Sequence, residues 1–116
     1  MPPKGGETSP VAVIAVLTNL PDSASAFNLA REIVNLRLAA CASVLGPVTS
    51  FYRWEGKEEQ AAEFTVLIKS TAERYAELEA AIRERHPHSL PEIVSWPITA
   101  GLPEYLRWVE SETVPA

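Results

Sequence analysis

Two strand-like stretches stand back to back in the middle of this chain, with a helical pattern on either side, and few folds accommodate that order. The first, Cys41 to Trp54, is interrupted at Gly46-Pro47, a pair that bends or bulges a strand. In the second, Phe64, Val66 and Ile68 alternate with Thr65, Leu67 and Lys69, the period of two that puts one set on each face of a sheet. Gly56-Lys57 between them suggests the hairpin turn.

Outside this hairpin the pattern repeats in mirror order. Val11 to Leu17 is a continuous apolar run that reads as a strand buried on both faces. Thr18 to Asp22 reads as a turn, with Asp22 or Ser23 placed to cap a helix. Leu29, Ile33, Leu36 and Ala40 then recur at helical spacing, so a helix is expected from Ser23 to Leu38 with that face inward. Ser70-Thr71-Ala72-Glu73 matches a capping box for a second helix, which carries Tyr75, Leu78 and Ile82 inward and stops before Pro87. Glu79 and Arg83 are spaced for a solvated ion pair on it. Ile93 to Ile98 is the last strand, with Pro97 marking an unpaired or bulged end. Pro103 opens a short final helix turning Tyr105, Leu106 and Val109 inward.

The order β-α-β-β-α-β is the α+β, ferredoxin-like split βαβ: an antiparallel sheet with two helices on one face, here with an extra C-terminal helix. Residues 1–10, rich in Pro and Gly, read as a disordered tail, and 11–112 as one domain. Two helices leave one face of the sheet bare, and the hairpin from about Val48 to Ile68 is longer than they can cover. A closed oligomer meets both demands.

A formal charge of −5 with no basic cluster argues against nucleic acid as a partner, because phosphate neutralisation needs grouped Lys and Arg. The longest apolar run is too short to cross a bilayer, so no membrane is expected. Cys41 is the only cysteine, which excludes an intramolecular disulfide and a cysteine-built zinc motif. The first residues are too polar for a signal peptide, and a cytoplasmic location is expected.

His86-Pro87-His88-Ser89-Leu90-Pro91-Glu92 joins the second helix to the last strand and gathers the residues best suited to chemistry. Imidazole and carboxylate are the usual non-sulfur ligands for divalent metals, which makes His86 and Glu92 the candidate metal ligands. Each has a plainer alternative. His86 closes a helix, where imidazolium suits the negative end of the dipole, and Glu92 enters a strand, where carboxylates pair with Lys or Arg. His88 suits exposed turn chemistry, Cys41 core packing, and Tyr52 and Trp54 subunit packing. Lys69 ends a core strand, exposed or facing a cleft where it would attract an anion. Glu58 and Glu59 are adjacent, so on a strand they diverge instead of working as a pair. No phosphate loop, ordered Ser-His-Asp set or metalloprotease spacing is present, and no enzyme is expected.

Five segments, taken together, resemble the CutA divalent-cation-tolerance proteins. They are Leu38 to Ala42, Ser50 to Lys57, Leu67 to Ser70, His86-Pro87 followed by Pro91-Glu92-Ile93, and Gly101 followed by Tyr105-Leu106-Arg107-Trp108-Val109. The resemblance covers about residues 11–110 and implies a tight homotrimer with the hairpins joined edge to edge. It also implies a role in tolerance of divalent cations, most often copper, with no obligatory cofactor and Cu(II) or another divalent cation as the ion. His88 and Ser89 take places where the family usually has Tyr and Glu. Thr18 and Arg85 stand where some bacterial members have Cys and His, which makes tight Cu(I) binding less expected here. The resemblance to PII-type architecture leaves a second reading, a signalling or scaffold module that binds a small anionic ligand or a protein in the trimer cleft.

Overall fold

The first strand starts later and runs further than the apolar run suggests: β1 is Val13–Leu20, so Thr18, Asn19 and Leu20 are strand and not turn. The computed structural model describes residues 12–115; the expected tail over 1–10, and Val11, lie outside them. Asp22 caps the helix α1, Ser23–Asn35, accepting a hydrogen bond from the Ser25 backbone N–H at 2.8 Å. That bond, reinforced by the Ser25 side chain, holds the Asp22 carboxyl below the usual carboxylate range.

The helix stops three residues before the expected Leu38. Arg37 adopts φ 61°, its N–H bonds the Val34 carbonyl, and the Leu38 N–H bonds the Ile33 carbonyl. This is a Schellman ending with arginine where glycine is usual. It turns Leu38 into the core and leaves Leu36, expected inward, 49% exposed.

Strand β2, Cys41–Trp54, carries a bulge between Leu45 and Val48, at the Gly46-Pro47 pair, whose peptide bond is cis. A Cβ on Gly46 would lie 2.8 Å from the Phe64 ring and 3.1 Å from the Glu63 carbonyl, and its φ of +149° disfavours any side chain. The turn falls one residue earlier than expected. Glu55 and Gly56 have φ 51° and 80°, the paired positive angles of a type I′ hairpin, and Trp54 faces Lys57 across it.

Strand β3, Lys57–Thr71, takes in Ser70 and Thr71, the first half of the expected capping box. The Ser70 hydroxyl is buried and donates to the Leu38 carbonyl at 2.6 Å, so it anchors the chain leaving α1 and caps nothing. A 3-10 turn, Ala72–Arg74, leads into α2, Tyr75–Arg85, which has no side-chain cap. Glu79 lies beside Tyr75, where it adds to the effect of burial in raising that phenol's pKa, and it makes no salt bridge to Arg83. Among the described residues the ion pairs at α2 and the turn before it are Arg74–Glu77, Arg85–Glu84 and Arg85–Glu32, the last reaching across to α1.

Strand β4 is Ile93–Pro97 and α3 is Pro103–Glu112, with proline in its first turn. The four strands form one antiparallel sheet in the order β2-β3-β1-β4. Pro97 is tolerated because β4 is an edge strand and Pro97 its last residue.

Strand alternation decides which face is dry. Ile14, Val16, Leu20, Val66 and Ile68 meet Leu29, Ile33, Leu78 and Ile82 of α1 and α2 in the main core. Thr18 points into the same layer, and its fully buried hydroxyl has no hydrogen-bond partner among the described residues. The opposite face carries the cross-strand rows Cys41–Lys69–Ala15–Trp96, Ser43–Leu67–Leu17–Val94 and Leu45–Thr65–Asn19. Helix α3 covers only one end of that face, through Val109 and Leu106 against Val13, Ala40 and Ile98. Its Tyr105, expected inward, is 37% exposed and touches the half-buried Cys41 thiol; burial first, then that thiol, pushes the phenol's pKa up. Cys41 is therefore a residue of the back face and not of the main core.

Pairing of β1 with β3 ends at Leu20 opposite Phe64. Beyond it the hairpin from Val48 to Glu63 continues as a two-stranded arm. The described chain extends 54 × 27 × 22 Å with a radius of gyration of 15.9 Å. A compact domain of this length has a radius of about 13 Å, so the arm projects from the body.

Candidate functional site

The corner between α2 and β4 folds back against the end of β1, and Asn19 is the residue that holds it. As the last back-facing residue of β1, Asn19 is polar where Val13, Ala15 and Leu17 before it are apolar. Its side-chain Oδ1 accepts from the Thr65 hydroxyl at 2.6 Å, and its Nδ2 donates to Glu92 Oε1 at 2.8 Å. Its backbone carbonyl lies 2.7 Å from His86 Nε2. The two sequence-derived candidates, His86 and Glu92, are thus both bonded to a third residue, one at its backbone and one at its side chain, that the turn reading of Thr18 to Asp22 passes over. The available signal was the period of two along β1, continued to Leu20.

His86 itself is buried, and both ring nitrogens are engaged. Nδ1 accepts the His88 backbone N–H at 3.1 Å, which requires its lone pair; Nε2 therefore carries the proton and donates to Asn19. The imidazole acts as a bracket between the corner and β1. The His88 ring packs 5.1 Å from it, tilted by 48°, and is itself exposed. Glu92 is exposed, and its partner is the Asn19 amide, not the Lys or Arg of the plainer reading. Among the described residues, no three His, Cys, Asp or Glu side chains converge in a group able to hold a metal ion.

The corner forms one wall of a cleft of about 900 Å³ whose other wall is the arm. Ser50, Tyr52 and Trp54 of β2 and Glu59 and Glu63 of β3 share its back-facing side, and Pro87 to Leu90 with Glu92 close it. Ser50 donates to Glu63 Oε1 at 2.6 Å. Glu59 lies in the cleft while Glu58 pairs with Arg53 in the next row, on the other face, as expected for neighbours on a strand. Lys69 sits on the back face between Cys41 and Ala15, away from this cleft.

A family model described as CutA1 divalent ion tolerance protein matches residues 14–112, nearly all of the described chain. The chain belongs to the CutA1 divalent ion tolerance family. A curated relative, the divalent-cation tolerance protein CutA of Yersinia pestis (strain Pestoides F), is 41% identical over 98 residues, 84% of this chain and 82% of the relative. The solved CutA structure from Xylella fastidiosa is similar with a TM-score of 0.86 at 37% identity, covering 88% of this chain and 98% of that one. The structure of CutA1 from Oryza sativa reaches a TM-score of 0.89 at 29% identity over 94% of this chain and 100% of that one. These CutA1 likenesses span the sheet, the helices and the projecting arm, so the α+β fold read from the strand and helix pattern is the family's fold.

Proposed function

We propose that the chain is a homotrimeric, non-enzymatic divalent-cation-tolerance protein that binds copper or another divalent cation weakly where subunits meet, near His86 and Glu92. Asn19 carries this reading, because it bonds the imidazole through its backbone carbonyl and the carboxylate through its side-chain amide. The names of the curated relatives support tolerance of divalent cations and specify no reaction. Weak binding follows from the local bonding. To ligate a metal, His86 must release the His88 amide from Nδ1 or the Asn19 carbonyl from Nε2, at about 1 kcal/mol for each hydrogen bond. One chain supplies two ligands here, so water or a second subunit completes the set.

Two features favour the trimer. Large apolar residues of the back face stay open, Val94 at 46% and Trp96 at 44% exposed, and the arm leaves strand edges unpaired on both sides. A cytoplasmic location belongs to the same reading and is supported by the single, unpaired cysteine.

Calorimetric titration with Cu(II) and Zn(II) tests the site. Glu92→Gln is the decisive variant, because Glu92 is exposed and the substitution spares the fold; a clear loss of heat is expected. Heats identical to those of the wild type for Glu92→Gln and His86→Ala would remove both residues from the site. Sedimentation tests the assembly, and a monomer mass at micromolar concentration would overturn it.

A further inference from the structure

One row of the back face changes character as it crosses the sheet. Leu45, Thr65 and Asn19 are cross-strand neighbours on β2, β3 and β1. The β1–β4 pairing puts Leu17 opposite Val94 and Thr18 opposite Ile93, so Asn19 next faces Glu92, one step past the end of the ladder. The adjoining row, Ser43–Leu67–Leu17–Val94, is apolar on β3, β1 and β4. Thr65, Asn19 and Glu92 instead form a hydrogen-bonded series. The Thr65 hydroxyl donates to Asn19 Oδ1 at 2.6 Å, and Asn19 Nδ2 donates to Glu92 Oε1 at 2.8 Å.

An asparagine side chain has an acceptor end and a donor end of nearly the same shape, so its neighbours decide which way it faces. A carboxylate only accepts, and it needs the Nδ2 end. Thr65 sets the matching condition from the other side, because its hydroxyl donates to Oδ1. His86 pins the backbone of the same residue by donating to the Asn19 carbonyl at 2.7 Å. The amide is left one orientation, with an N–H toward Glu92. Each bond in such a series polarises the next, so the hydroxyl strengthens the charge-assisted bond to the carboxylate. Glu92 is exposed, and an untethered carboxylate there would sample several rotamers. Held at Oε1, it presents Oε2 in a fixed direction, which lowers the ordering cost of taking a cation.

We infer that Thr65 is a positioning residue for Glu92, acting through the Asn19 amide to aim that carboxylate at a cation. The inference rests on the reading of Glu92 as a ligand and adds to it a residue of β3 that does not touch the ion. Thr65→Val tests it, since valine keeps threonine's branched shape and strand preference and lacks the hydroxyl. Thr65→Ser keeps the hydroxyl. In NMR spectra of the metal-free full chain, the Asn19 side-chain N–H of the wild type and of Thr65→Ser is expected downfield, as for a bond to a carboxylate. Thr65→Val should move it toward the position of a solvated amide. In calorimetric titration with Zn(II), Thr65→Val should weaken binding about tenfold, and Thr65→Ser should bind as the wild type does. In a Glu92→Gln background Thr65→Val should add no further loss, because its effect passes through that carboxylate. Wild-type amide signals in Thr65→Val, a Thr65→Ser as weak as Thr65→Val, or a further loss in the Glu92→Gln background would each overturn the inference. Zn(II) heats that fall with Glu92→Gln but not with Thr65→Val would remove this inference alone. Heats that Glu92→Gln leaves untouched would remove the ligand reading and this inference with it.

Discussion

Ile68 and Phe51 are large apolar residues of one hairpin, yet Ile68 has no exposed surface and Phe51 keeps 74% of its own. The same two strands build both the body and the arm, so strand propensity does not separate them. Cover does. In the body β3 is flanked by β1 and roofed by two helices, whereas past Phe64 it has only β2 for company. A subunit thus has a self-sufficient half, stabilised by burial, and a half whose apolar surface finds no cover among the described residues.

Substitutions in the two halves should fail in different ways. Ile68→Ala is expected to have the largest effect, lowering subunit stability by about 2–5 kcal/mol in urea unfolding through lost transfer energy and a cavity. Phe51→Ala, in the same assay on dissociated subunits, should fall within about 0.5 kcal/mol of the wild type while lowering the sedimentation mass of the assembly. A large loss of subunit stability from Phe51→Ala would erase the distinction between arm and body.

Gly46→Ala strikes where the two halves join. Its methyl group would meet the Phe64 ring and the Glu63 carbonyl, and its backbone angle suits glycine, so a loss of about 1–3 kcal/mol is expected in the same unfolding curve. Ser70→Ala removes the hydroxyl bonded to the Leu38 carbonyl inside the body and should cost about 1–3 kcal/mol, with the arm unaffected.

The smallest effect belongs to Asp22. Its carboxyl has a lower pKa folded than unfolded, so its contribution is complete above the usual carboxylate range and is lost as pH falls through the folded value. Thermal melts of Asp22→Ala and wild type should therefore differ by a small constant amount near neutrality and converge in acid.

Much of this was legible from residue patterns because the period of two in β3 and the cap at Asp22 are local signals that tertiary structure left alone. Where they misled, a distant partner had intervened. Ser70 and Glu73 have the spacing of a capping box, but the hydroxyl found the Leu38 carbonyl on another segment. Leu36 follows the helical period, yet a left-handed arginine ends the helix before it counts. At the site, His86 and Glu92 were visible as chemistry-bearing residue types, whereas Asn19 was not. Its role depends on contacts with Glu92, His86 and Thr65, which are far from it along the chain. The acids and aromatics of the cleft were legible as residues of a hairpin, but their meeting with the corner is purely three-dimensional.

Arg37 bears on how the two layers move. Its guanidinium donates from Nε to the Val114 carbonyl at 2.7 Å and from a terminal nitrogen to the Ser111 carbonyl at 3.2 Å. It leaves the end of α1, on one side of the sheet, and grips the end of α3, whose packing is on the other. The side chain works like a buckle around the rim, so α3 cannot swing outward from Cys41 without first pulling on the exit of α1.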